Sequence, residues 1–216
     1  LEWEWGYREN DKLGGPDPYS ASKGAAELAI SSYYRSFFIR DNGIKIASAR
    51  AGNVIGGGDW SQNRLIPDCV RAWSKGNCVI LRNPESTRPW QHVLEPLSGY
   101  LSLAIKLNLN DQLNGKSFNF GPNDLSTKSV LDLVTKMSEY WPKVKWKCEK
   151  FKNEFHESAL LKLNCDLAHE ILDWKPKLDF ENTTKMTALW YKNFYDNRSL
   201  NPRELTINQI NEYMRI

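Results

Sequence analysis

No apolar run in the 216 residues approaches the roughly 18 that a membrane-spanning helix needs, and no signal-peptide pattern is present. Cysteine is scarce: Cys69, Cys78, Cys148 and Cys165 stand far apart, with no Cys-x-x-Cys pair and no His at ligand spacing. That pattern argues against a metal site and a small disulfide scaffold; the four read as reduced thiols of a cytoplasmic protein. Charge of one sign is gathered nowhere. The 29 basic and 26 acidic residues leave a formal +3 and are spread along the chain, which offers no nucleic-acid surface and suits an anionic small molecule at least as well. Also missing is a Gly-rich turn, Gly-x-Gly-x-x-Gly or Gly-x-x-Gly-x-x-Gly, through which backbone amides reach a dinucleotide pyrophosphate. Gly56-Gly57-Gly58 follows a strand, but Asp59 and Trp60 come next and no helix starts for several positions, so it is a poor phosphate cradle. There is no internal repeat and no low-complexity tract. The 41% hydrophobic content is enough for one good core, or one core plus a small lobe.

What is present centres on Gly14-Gly15-Pro16-Asp17-Pro18-Tyr19-Ser20-Ala21-Ser22-Lys23. The Gly-Gly-Pro and Asp-Pro dipeptides keep the chain out of helix until Tyr19, after which Ser, Ala, Lys, Glu and Leu favour one without interruption. At about 3.6 residues per turn, Tyr19 and Lys23 share one face, one turn apart. An ammonium held there favours the phenolate and fits Tyr19 for work as a base near neutral pH. Tyr-x-x-x-Lys also arises by chance as a solvated helix pair. Of the nine Tyr, however, only Tyr19 has Lys at the fourth following position, and small residues after Lys23 let this helix pack closely on a neighbour.

The Tyr19 helix is expected to run through Phe37 to Arg40 and to stop at Asp41-Asn42-Gly43. Residues 1–11, ahead of it, read as a surface loop with aromatic anchors. Ile44 to Arg50 reads as a strand covered on both faces. The pattern then predicts a helix over 62–75, a strand over 78–81, a loop through Trp90, a helix over 95–106 and a strand over 117–120. A helix capped by Thr127 follows, with Val130, Leu131, Leu133, Val134 and Met137 at helical spacing, then an exposed strand over 144–149 and helices over 166–172 and 182–195. Asn201-Pro202 opens a polar helix whose apolar Leu205, Ile207, Ile210 and Met214 are expected to pack on the body or on another subunit. Strands alternating with helices of about 10 to 15 residues imply parallel units in an α/β fold.

The segment Pro18-Tyr19-Ser20-Ala21-Ser22-Lys23 resembles the active-site helix of the extended short-chain dehydrogenase/reductases, a family of nucleotide-sugar epimerases and dehydratases. Later blocks narrow the resemblance. Ala49-Arg50-Ala51-Gly52-Asn53-Val54-Ile55-Gly56-Gly57-Gly58-Asp59-Trp60, followed by Arg64-Leu65-Ile66-Pro67-Asp68, is similar to the block that marks CDP-glucose 4,6-dehydratases within that family. So are Arg82-Asn83-Pro84, Thr87-Arg88-Pro89-Trp90-Gln91-His92-Val93-Leu94-Glu95-Pro96-Leu97, Trp5-Gly6-Tyr7-Arg8-Glu9, Phe118-Asn119-Phe120-Gly121-Pro122, and His156-Glu157 ahead of Leu161-Lys162-Leu163. The dTDP-glucose dehydratases instead carry Asn-Asn-Tyr-Gly-Pro after the strand that opens the Ala49 to Trp60 block. Many epimerases carry Arg-Asp-Trp or Arg-Asp-Tyr where this chain has Arg88-Pro89-Trp90.

The resemblance implies a Rossmann-like parallel sheet, here its C-terminal part without the N-terminal strands, and a smaller mixed α/β substrate-binding lobe. Residues 1–60 would be the C-terminal part of the NAD-binding domain with the Tyr-Lys helix, and 61–216 the nucleotide-sugar lobe, with one or more segments returning to the sheet. In that family the Gly-rich turn and the acid/base residues for elimination lie ahead of the Tyr-Lys helix. Leu1 is too close to Tyr19 to leave room for them, so the chain reads as the C-terminal portion of a longer protein and as inactive alone.

The implied cofactor is NAD, the implied substrate CDP-glucose, and the implied assembly a homo-oligomer, with no nucleic-acid or membrane partner. Tyr19 and Lys23 are the catalytic residues on this reading, and Tyr19, Lys23 and Arg50 face the cofactor. Tyr19 would take the 4-hydroxyl proton as hydride leaves C4 of the glucose; the ketone acidifies the C5 proton, water is lost across C5 and C6, and hydride returns to C6. Asn53, Arg64, Leu65, Ile66, Arg88 and Asn119 are the expected substrate-binding residues. Arg88, in a Pro-bracketed loop, offers a planar fork for diphosphate oxygens. Asn53 stands just past a strand end, where ligands of open α/β sheets bind, and its amide suits a diphosphate oxygen. Leu65-Ile66-Pro67 would enter the next helix beside the nucleotide, and Asn119 qualifies by its place after a strand. Trp60 and Trp90 fit a base-stacking or core role. Two other readings stay open: an epimerase or reductase sharing Tyr19 and Lys23, and a non-catalytic nucleotide-sugar or NAD-binding protein.

Overall fold

Helix α1 (Pro18–Ser36) starts where the Asp-Pro signal predicts: the Asp17 carboxylate accepts from the Ser20 N–H at 2.9 Å, and Pro18 fills a first-turn position that needs no N–H. It ends a turn before the expected Arg40, because Phe37 leaves helical geometry with φ −123° and ψ −54°. A short 3-10 turn, Phe38–Arg40, follows. The structure, a computed structural model, describes residues 5–40, 43–122, 128–141, 144–149, 161–196 and 201–216, so the expected stop at Asp41 and Asn42 lies outside the described residues.

The strand expected over 44–50 forms only as β1 (Ser48–Ala51), since a neighbour lies alongside only from Ser48 onward. That neighbour is β6 (Ser117–Phe120), parallel to β1, with Ser48 opposite Ser117 and Ala51 opposite Phe120. Ahead of β1, the Ile46 N–H donates to Asn114 Oδ1 at 2.8 Å and its carbonyl accepts from the Gly115 N–H at 2.7 Å. Two further pairs are parallel: β2 (Val54–Ile55) with β5 (Gln91–His92), and β3 (Cys78–Leu81) with β8 (Lys145–Cys148). β4 (Thr87–Arg88) and β7 (Lys128–Ser129) pair antiparallel. Among the described residues the strands stand as these four pairs. Parallel pairing requires crossovers, which α2 (Leu65–Trp73), α3 (Leu94–Leu109) and α4 (Val130–Ser138) supply.

The cap expected at Thr127 lies outside the described residues. Ser129 caps α4 instead: its Oγ accepts from the Asp132 N–H at 3.0 Å, and the Asp132 carboxylate accepts from the Ser129 N–H at 2.9 Å, a reciprocal capping box. Helix α2 begins at Leu65, three residues after the expected Gln62, because Asn63 adopts a left-handed φ of 61°.

The largest apolar cluster lies where α2 and α4 meet α6 (Phe180–Asp196), around Cys69, Val70, Trp73, Leu133, Trp190 and Tyr191. A second joins β6, α3 and α5 (Asp166–Leu172) through Phe118, Phe120, Leu103, Leu172 and Trp174. Helix α7 (Pro202–Arg215), capped by Asn201, docks on α6. Of its expected apolar face only Leu205 is buried; Ile207, Ile210 and Met214 are exposed. The docked face is Leu205, Gln209 and Tyr213, one residue per turn on a single line, with Gln209 Nε2 donating to the Met186 carbonyl at 2.6 Å. In the N-terminal loop Trp5 is exposed, and Tyr7 provides the tether by a bridge to Leu163. No helix among the described residues is long and apolar enough to cross a membrane, and the four cysteines are free.

Candidate functional site

The first turn of α1 and the loops that leave β1 and β2 meet at a cleft of about 470 Å³. Its walls are Tyr19, Asn53 to Gly56, Asp59, Asn63, Arg64 to Pro67, Arg88, Trp90 and Val130. Tyr19, Asn53, Arg64, Leu65, Ile66 and Arg88 are thus brought together from four separate stretches of the chain. Lys23, Arg50 and Asn119 are not among the lining residues.

Local structure explains the convergence. Asn53 stands just past the end of β1, after Gly52, and its carbonyl accepts from the Gln91 N–H at 3.0 Å. The left-handed Asn63 turns the chain so that Arg64, in extended geometry, opens α2 with no side-chain cap on the first-turn amides. Those amides carry the positive end of the helix dipole, and Arg64 lines the cleft at the same helix start. Arg88 is half-buried on β4, with Nη1 donating to the Thr87 carbonyl at 2.7 Å. The buried Trp90 is fixed by its indole N–H, which donates to the Lys128 carbonyl at 3.1 Å.

Tyr19 is 72% exposed at the cleft rim, and Lys23 Nζ lies 5.9 Å from its ring centroid. One turn beyond Lys23, Glu27 anchors the helix. Its carboxylate accepts from Ser48 Oγ at 2.9 Å, Arg50 Nε at 2.8 Å, Arg50 Nη2 at 3.0 Å and Ser117 Oγ at 3.3 Å. The Arg50 hydrogen bond holds the Glu27 carboxyl below the usual carboxylate range, against the opposing effect of burial. Arg50, expected to face the cofactor, is therefore committed elsewhere: it also donates from Nη1 to the Glu9 carbonyl at 3.0 Å. Its position on β1 points it across to α1, where a carboxylate matches its fork.

Asn119, expected at the substrate, is likewise engaged by other parts of the chain. It is 1% exposed, and its amide donates to the carbonyls of Tyr7 at 3.0 Å and Asn164 at 3.1 Å. A buried amide must satisfy its donors, and these backbone carbonyls are at hand. Asn119 knots β6 to the N-terminal loop. Trp60 packs on Trp190, Tyr191, Phe194 and Tyr195 of α6, outside the cleft lining. His156 and Glu157 lie outside the described residues. Asp59, Asn63, Val130 and Glu27 escape a reading of the sequence, although Glu27 carries a signal: it continues the Tyr19, Lys23 spacing by one more turn. Among the described residues, no group of three or more His, Cys, Asp or Glu could hold a metal ion.

A cleft lined by two arginines, an asparagine and an uncapped helix start, together with apolar Leu65, Trp90 and Val130 and a phenol at its rim, suits an anionic ligand with a planar or apolar portion and a hydroxyl. The surrounding fold is a Rossmann-like α/β fold: a dTDP-glucose 4,6-dehydratase from Bacillus anthracis, solved in complex with NAD, superposes with a TM-score of 0.70 at 21% identity, covering 89% of this chain and 57% of that one. The Streptomyces venezuelae dTDP-glucose 4,6-dehydratase DesIV, with NAD and TYD bound, gives 0.70 at 20% identity over 89% of this chain and 55% of that one. A family model described as GDP-mannose 4,6 dehydratase matches residues 3–187, and the chain belongs to that family. Within reach by sequence is the CDP-glucose 4,6-dehydratase of Salmonella typhimurium, 46% identical over 196 residues, which are 88% of this chain and 54% of that protein. The chain spans about half the length of the curated relatives it matches.

Proposed function

We propose that this chain carries the Tyr-Lys helix and the substrate lobe of an NAD-dependent CDP-glucose 4,6-dehydratase, a hydro-lyase that yields CDP-4-dehydro-6-deoxyglucose. The observation that supports this most is the convergence of Tyr19 with Asn53, Arg64 and Arg88 in one cleft, in a chain 46% identical to a CDP-glucose 4,6-dehydratase. On this reading residues 1–60 belong to the cofactor-binding domain and 61–216 to the substrate lobe, with β6 returning beside β1.

Arg88 and Arg64 neutralise the diphosphate, helped by the first-turn amides of α2, and the Asn53 amide donates to one of its oxygens. Leu65, Trp90 and Val130 exclude water from the nucleoside portion. Tyr19 accepts the proton of the sugar 4-hydroxyl, and Lys23 keeps a positive charge beside its ring. The exposed phenol and ammonium side by side on α1 fit a nicotinamide nucleotide, whose ribose hydroxyls Lys23 would hold. NAD, when bound, supplies the acceptor and later the donor of a hydride. The exposed Leu28 and Tyr33 of α1 and Phe37 just past its end support a homo-oligomer, and the four free thiols support a cytoplasmic location.

The test is product identity in an enzyme of the relatives' length. CDP-glucose should lose one water with no net reduction of NAD, and Tyr19→Phe should slow turnover by about 10² to 10⁴ with little change in CDP-glucose affinity. An epimerised or reduced sugar, or parental turnover in Tyr19→Phe, would overturn the proposal.

A further inference from the structure

Helix α7 lies beyond residue 187, where the family match ends, and none of its residues lines the cleft. It is nevertheless connected to the cleft wall by a series of contacts. The Thr206 hydroxyl donates back to the Pro202 carbonyl at 2.9 Å, so its lone pairs are left to accept the Trp190 indole N–H at 3.1 Å. Leu205 is buried in the same cluster as Trp190, and Gln209 holds the Met186 carbonyl one turn earlier on α6. The setting of α7 against α6 is thereby fixed around the indole.

Trp190 is 3% exposed and lays its ring against the loop that follows β2. A Cβ on Gly57 would stand 2.0 Å from Trp190 Cγ, so only glycine admits this approach; Gly58, at φ +82°, continues it, its Cβ position 3.6 Å from the ring. Next along α6, the Tyr191 hydroxyl donates to the Asp59 carbonyl at 2.7 Å. Trp60 rests on both rings. The loop so held contributes Gly56 and Asp59 to the cleft and follows directly from Asn53 to Ile55.

We propose that α7 is a positioning element for the cleft: Thr206 sets Trp190, and Trp190 sets the Gly56 to Trp60 loop that forms one wall. The nature of the ligand rests on the function proposed above; the mechanical tie does not.

Three variants of the enzyme of the relatives' length test it. Thr206→Val keeps the side-chain shape and leaves a buried indole N–H without an acceptor, Thr206→Ser keeps the acceptor, and Met214→Ser alters the exposed face of the same helix. Amide hydrogen exchange is read over residues 53–60 and over β6, with CDP-glucose affinity, KM and kcat measured alongside. Thr206→Val is expected to speed exchange at Gly56 to Trp60 by about tenfold while β6 exchanges as in the parent, and to raise Kd and KM about three- to tenfold with kcat nearly unchanged. Thr206→Ser and Met214→Ser should match the parent. Parental exchange over 53–60 in Thr206→Val would overturn the proposal, and so would a uniform rise through the whole chain, which would make Thr206 a general stabiliser. Failure of the parent to bind CDP-glucose would overturn the functional reading, while the exchange comparison would still decide the tie.

Discussion

Helices α1 and α6 are 19 and 17 residues long, yet α1 buries one residue, Gly24, and α6 buries seven. The helix that carries Tyr19 is seated mainly by a polar clamp at Glu27, whereas the helix behind the cleft wall is seated by stacked and edge-on aromatic rings. The two therefore respond to different insults. Apolar packing is indifferent to pH and fails when volume is removed; a carboxylate-guanidinium clamp fails when charge is lost. The Tyr19 phenol and the cleft wall are thus secured by independent physics.

The largest effect should come from the aromatic side. Trp190→Ala removes the ring that fills the space between α7 and Gly57, and is expected to cost about 3 to 5 kcal/mol of stability, read as a lower denaturant midpoint. A loss confined to a few tenths would mean that the loop collapses onto α6 without it.

On the polar side, Glu27→Ala leaves the half-buried Arg50 without its carboxylate and is expected to cost about 1 to 3 kcal/mol. The loss should concentrate in α1: its amides exchange faster, turnover falls, and nucleotide affinity is preserved. The clamp also sets a pH dependence. Because the folded state holds the Glu27 carboxyl below its ordinary value, the stabilisation is fully present above the usual carboxylate range and is lost as pH falls through the folded-state value. Protection of the α1 amides, taken relative to the intrinsic exchange rate at each pH, should fall on acidification in the parent and show no such step in Glu27→Gln. Equal acid sensitivity in both would assign the step to another group.

A smaller effect is expected where α7 meets α3. Glu95, 1% exposed, accepts from the Lys177 and Leu178 N–H groups at 3.0 and 2.7 Å and from the Tyr213 hydroxyl at 2.9 Å. Burial pushes its carboxyl up, and these donors oppose the shift. Tyr213→Phe keeps the ring and the two backbone donors, so about 0.5 to 1.5 kcal/mol should be lost. A loss as large as that of Trp190→Ala would place the main anchor of α7 at Glu95.

The strands over 78–81 and 117–120 and the helix over 166–172 could be read to the residue, because hydrophobic pattern and punctuation agree there. The start of α2 could not, since one left-handed Asn63 decides it. For the site, the residues with local chemistry were legible: Tyr19 at a helix start, Asn53 past a strand, Arg88 between prolines. The partners that Arg50 and Asn119 take in the structure were not legible because they are far away in sequence, Glu27 for the one, Tyr7 and Asn164 for the other. Which line of α7 packs on this chain was not legible for a related reason: it depends on what the helix lies against, here Met186 and Trp190 of α6.

The central claim is that Tyr19, Asn53, Arg64 and Arg88 line one nucleotide-sugar cleft, and titration calorimetry of the parent against Arg88→Ala tests it most directly. Affinity for CDP and for CDP-glucose is expected to fall by a similar factor, about ten- to a hundredfold, as the loss of a charge-assisted diphosphate contact of about 1.5 to 3 kcal/mol requires, with NAD affinity nearly unchanged. Equal CDP affinity in variant and parent would contradict the account.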